Sequence, residues 1–163
     1  MRFGIRTAAY LCLGALTVGS AVAQETPTTP LEAFGALAVG EWDASDSRHV
    51  LEWGVGRKII HSKSYFRSGE QWTLVSEGIW YANPSGNGVL GLAVAIEMPV
   101  DLFEYHSEIR GDTIVHQLVS HGAMGGKYLE TWQFVGDGYR WELEQDKDGV
   151  MQRVMGGAYR RAE

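Results

Sequence analysis

The chain has 163 residues, with fourteen basic against twenty acidic side chains, a net charge of −6 and a single cysteine. That balance excludes the clustered Lys and Arg surfaces by which proteins hold nucleic acid or anionic membranes. One cysteine also excludes any disulfide within the chain.

Arg2 and Arg6 precede an apolar run from Thr7 to Val18 that ends in Ala21-Val22-Ala23. A positive start, a short apolar stretch and a small-x-small site define a signal peptide, cleaved near Ala23. The run falls short of the ~20 residues a membrane-spanning helix needs. Cys12 follows Leu11 instead of the small residue that lipoprotein processing requires, so no lipid anchor is expected. Residues 1–23 therefore read as signal peptide, and the remainder as periplasmic or secreted. Without Arg2 and Arg6 the remaining 140 residues carry a net −8 and no cysteine. That length suits one domain with one core.

Residues 24–30, rich in Thr and Pro, read as a flexible leader, and 31–163 as the folded domain. Thr29, Pro30 and Glu32 predict a capping box and a proline at the first helical position, opening one short helix over 30–37 with Leu31, Phe34 and Leu37 on one side. After Gly40 come short segments rich in Val, Ile, Thr and aromatic residues. Turn signals separate them: Gly54–Gly56, Ser68-Gly69, Asn83–Gly88, Met98-Pro99, Gly111-Asp112, Gly122–Gly126, Gly136–Gly138 and Asp146–Gly149. Tyr139, Trp141 and Leu143 alternate with Arg140, Glu142 and Glu144, and Phe103, Tyr105 and Ile109 with Glu104, His106 and Glu108. Each pattern is one buried and one wet face. The fold class is all-β: an antiparallel meander of about eight to ten strands, closed into a barrel because no long helix exists to cover open sheet edges.

Gly40-Glu41-Trp42, following a short helix and opening the meander, resembles the Gly-x-Trp of the calycin superfamily, the lipocalins and fatty-acid-binding proteins. In that family a basic residue near the last strand packs across the tryptophan. The resemblance implies that Arg160 or Arg161, after Tyr159, does so here, with Gly40, Trp42 and Arg160 as the structural lock. The spread Glu52-Trp53…Gly56-Arg57…His61-Ser62, with Glu77-Gly78-Ile79-Trp80-Tyr81, is similar to small bacterial lipocalin-like domains of unknown function. A disulfide and a long first loop are missing, so specific lipocalin ligands do not carry over.

The five histidines, 49, 61, 106, 116 and 121, form no pair of metal-ligand spacing, although a hairpin at Gly54–Gly56 could bring His49 near His61. No metal site is expected. Among cofactors, haem is the one a barrel of this type admits. Its best ligand is His116 between Ile114 and Leu118, although nitrobindin-type relatives carry theirs late in the chain, and nothing follows His121 here. No serine sits in a nucleophile elbow. Gly122–Gly126 opens no helix and so builds no phosphate site. Glu77 shares a strand face with Thr73, Val75, Ile79 and Tyr81, an arrangement that raises a carboxyl's pKa unless Arg57 or Lys63 pairs with it. If Trp72, Leu74 and Trp80 form the inner face instead, Glu77 is solvated.

The functional expectation is a carrier of a small hydrophobic molecule, with Trp53, Trp80, Phe103, Tyr105 and Trp132 as wall residues. Two alternatives stand beside it. One is an isomerase, dehydratase or hydrolase using Glu77 with His61 or His116. The other is a filled barrel whose outer surface meets an unspecified protein partner.

Overall fold

The computed structural model describes residues 29–96, 100–123 and 125–162. The signal-peptide reading, most of the leader and the turn at Met98-Pro99 fall outside them. A nine-residue helix, α1 (Pro30–Ala38), comes first. The Thr29 hydroxyl accepts from the Glu32 amide at 3.2 Å, and the Glu32 carboxylate accepts from the Thr29 amide at 3.0 Å. Such a cap contributes about 1 kcal/mol. Thr29 and Pro30 thus belong to the helix and not to a leader.

Ten strands follow: β1 (Gly40–Asp43), β2 (Ser47–Trp53), β3 (Ile59–Ser68), β4 (Gln71–Ala82), β5 (Val89–Ala95), β6 (Leu102–Arg110), β7 (Thr113–His121), β8 (Gly126–Val135), β9 (Gly138–Lys147) and β10 (Val150–Arg161). Each pairs antiparallel with its neighbours in sequence, and β10 returns to β1, so the sheet is a closed meander barrel. Among the described residues no helix is long and apolar enough to cross a membrane.

The helix plugs one end of this barrel. Its Leu31, Phe34 and Ala38 are buried, and Phe34 reaches the Trp80 ring at 5.0 Å and the Trp132 ring at 6.4 Å. Complete burial of such a side chain contributes about 2–3 kcal/mol. Around it pack Trp42, Ile60, Val89, Ile114, Tyr139 and other inward side chains, which fill the helix-side half of the interior. Trp53, on the face of β2 that carries His49 and Leu51, packs against the helix at this end. Its ring lies so close on Gly35 that a Cβ there would overlap it, and the Arg57 guanidinium covers the Trp53 ring at 4.2 Å.

The seam between β1 and β10 is short, pairing only Trp42 with Arg161 and Asp43 with Arg160. Arg161, not Arg160, is the residue across the tryptophan. Its guanidinium stands 4.6 Å from the Trp42 ring centre and donates to the Val39 carbonyl at 3.2 Å, because the register sets it opposite Trp42. Gly40 has φ +147°, and a Cβ there would lie 2.9 Å from the Arg161 guanidinium. Both facts explain a glycine two residues before that tryptophan.

One irregularity decides which way β4 faces. Ser64 pairs with Ser76 and Tyr65 with Leu74, leaving Val75 as an extra residue without a partner on β3. Such a bulge shifts the alternation by one. Val75 and Trp80 are both buried although they lie five residues apart, an odd spacing that regular alternation would place on opposite faces.

Candidate functional site

Beyond the helix-side packing the interior opens into a cavity of about 400 Å³. Trp80, Phe103, Tyr105, Trp132 and Trp141 wall it, and Asp46, Ser47, Phe66 and Met155 stand among its other lining residues. Alternation along each strand points these rings inward, and the β4 bulge brings Val75 to the side that Ser76 and Trp80 already share.

A hydrogen-bonded chain runs along one wall. The His49 Nδ1 is 2.7 Å from the Tyr139 hydroxyl, its Nε2 is 3.3 Å from the Tyr159 hydroxyl, and that hydroxyl is 2.7 Å from Ser47 Oγ. Burial pushes the His49 imidazole down to about 4, so it is neutral at pH 7 and passes a hydrogen bond from one phenol to the other.

The acid set deepest among the cavity's rings is Glu130. Strand β8 carries it on the face of Tyr128, Trp132 and Phe134, opposite His116 on β7 and Leu143 on β9. Its Oε1 accepts from the Trp132 indole N–H at 2.8 Å. Burial raises its carboxyl to about 7, against the smaller opposing effect of that indole bond. Burial, and after it the Glu130 charge, hold the Tyr105 phenol well above its ordinary value. Tyr139 and Tyr159 are raised as well, again by burial first, with Glu130 contributing. Three phenols and a carboxyl that titrates near neutrality therefore share one water-poor space.

The residues singled out from sequence divide. Trp80, Phe103, Tyr105 and Trp132 stand on the cavity wall, whereas Trp53 does not, being spent on Gly35 at the closed end. Glu77 faces outward, 55% exposed, with Lys63 Nζ at 3.9 Å, so it is the surface ion pair and not a buried acid. His61 lies with it on the outer wall, in a dent that also includes Ile79 and Leu92. Because His49 pairs with Ser64 while Glu52 pairs with His61, the two histidines end on opposite sides of the sheet and form no pair. No cluster of three metal-ligating side chains occurs among the described residues.

His116 is fully buried in the packed half, its Nδ1 2.7 Å from Ser107 Oγ, and burial pushes it down to about 3. Rings of Trp132, Trp80, Tyr105 and Phe34 surround it at 4.6, 5.3, 5.7 and 6.2 Å. Its Nε2 and the Trp80 indole nitrogen lack hydrogen-bond partners. A porphyrin has no room over that nitrogen, so these residues do not fit a haem.

Glu130, Tyr139 and Tyr159 escaped the sequence reading as site residues, and His49 entered it only as a partner for His61. For Glu130 the signal was present: an acid within Tyr128-x-Glu130-x-Trp132-x-Phe134, the same argument applied to Glu77 but on a strand whose alternation is unbroken. Comparison with protein-family models, curated proteins and solved structures finds no match for this chain.

Proposed function

We propose that the barrel binds and carries a small, largely apolar molecule in this cavity. One observation carries the reading: about 400 Å³ of interior space walled by aromatic side chains, with few polar groups, chiefly Glu130, Asp46, the His49 chain and several serines. Ligand pockets have this size and this mixture. The signal-peptide pattern supports a carrier outside the cytoplasm, and the Arg161–Trp42 stack supports the calycin resemblance. Native mass spectrometry of the protein purified from its host without refolding tests the proposal. A co-purifying small mass supports it. A bare polypeptide that also fails to bind hydrophobic dyes refutes it.

Catalysis in the same cavity is favoured by a different observation, a carboxyl near neutral pKa beside a phenol–imidazole chain. Glu130 then replaces Glu77, His61 and His116 as the acid–base group. Recovery of the ligand chemically altered by substoichiometric protein decides for this reading.

A further inference from the structure

The cavity's polar groups are unequal in sign. Glu130 is surrounded by rings and reached by one neutral donor, and among the described residues its Oε2 receives no hydrogen bond. Asp46 adds a second acid to the lining. The one basic side chain in the lining, Lys63, holds its amine 3.9 Å from the outward-facing Glu77. The titratable groups that face Glu130 from the other strands are Tyr105, His116, Tyr139, Tyr159 and His49, all neutral at pH 7 for the burial reasons above.

A fatty acid or other anion entering this space meets a carboxylate and no cation, which opposes it. A purely neutral ligand leaves the cost of burying Glu130 uncompensated. A cation resolves both, since its charge pairs with the carboxylate and its rim contacts the negative faces of aromatic rings.

We propose that the cavity takes a small cationic amine with an apolar body, its charge held against the Glu130 carboxylate and the surrounding aromatic faces. This rests on the carrier reading and narrows it to one ligand class. Because the free carboxyl is partly protonated near pH 7, binding a permanent cation expels a proton and tightens as pH rises.

The test is a tryptophan-fluorescence titration of the full folded protein with three probes of one length: trimethyl(2-phenylethyl)ammonium, its neutral carbon isostere and a phenylalkanoate. At pH 8 the ammonium binds at least tenfold more tightly than the isostere, and the alkanoate binds most weakly. Glu130→Gln brings ammonium and isostere to within about threefold of each other while the isostere keeps its affinity. In the wild type, ammonium affinity rises several-fold between pH 5.5 and 8.5 and that of the isostere stays level. Should the isostere or the alkanoate bind as tightly as the ammonium, the cation proposal falls and the carrier reading stands. If no probe binds, the carrier reading falls too. Should Glu130→Gln fail to fold, the wild-type pH series decides: ammonium affinity independent of pH overturns the role of Glu130.

Discussion

Replacing Glu130 with Gln makes the unliganded protein more stable at high pH, and the gain disappears in acid. Glu130 has its folded-state pKa raised from 4.5 to about 7. Between those values Glu130 holds more of its proton in the folded chain than in the unfolded one, so its contribution to wild-type stability falls as pH rises through this window. At about 1.4 kcal/mol for each pH unit, the loss comes to about 3.5 kcal/mol above pH 7. Water entering the open end of the cavity screens part of it, leaving about 2 kcal/mol. The substituted amide keeps an oxygen to accept the Trp132 N–H and has no charge to bury. Urea unfolding of both proteins, followed by tryptophan fluorescence at whole pH values from 4 to 8, measures the difference. The two midpoints coincide at pH 4, and the variant leads by about 1 M urea at pH 8, taking a slope of about 2 kcal/mol/M. The histidines titrate in both proteins and cancel. A difference that stays constant with pH refutes the assignment of a buried, solvent-deprived carboxyl.

Other expectations concern the packed half and the seam. In nitrogen-detected NMR the His49 and His116 rings stay neutral from pH 8 down to pH 5, since burial holds them near 4 and 3; titration of either with a midpoint near 6.5 contradicts the burial described. Both raise stability as pH climbs from their folded values towards 6.5, so the histidine contribution is lost in acid below pH 6, opposite in sign to that of Glu130. Arg161→Ala costs about 1–2 kcal/mol in urea unfolding, for the stack on Trp42 and the bond to Val39, whereas Arg160→Ala stays within about 0.5 kcal/mol. Equal losses at the two positions argue against the stack. Gly35→Ala forces Trp53 off the helix and lowers stability by about 2 kcal/mol or more by the same assay, while Gly69→Ala, at a turn with open space, costs less and only through its positive φ.

The helix and the strand count were legible because each rests on local chemistry. Thr29, Pro30 and Glu32 satisfy helix-end donors within four residues, and the turn glycines at 69, 111, 136 and 149 all take positive φ. The cavity walls were partly legible through alternation on β6 and β9, which set Phe103, Tyr105 and Trp141 on faces that line the cavity. Facing on β4 was open between two readings. One unpaired residue, Val75, breaks the alternation there: it is buried with Trp80, while Glu77 and Ile79 face outward, where Lys63 meets Glu77 as the ion-pair reading had it. A bulge depends on the partner strand and leaves no mark in the composition of its own. The chain Tyr139–His49–Tyr159–Ser47 joins β9, β2 and β10, residues up to 112 positions apart, and no local pattern announces such a meeting.

The seam has a consequence for how the molecule is made. Every other strand pair joins neighbours in the chain and can zip as soon as its hairpin exists, but Trp42 must wait for Arg161, nearly the whole domain later. Until residue 161 has joined it, the sheet has two unpaired margins, and what will become the cavity is an open trough. The stack of Arg161 on Trp42 is thus the clasp by which a sheet becomes a vessel, and a chain stopped before residue 160 lacks both pairs of that seam.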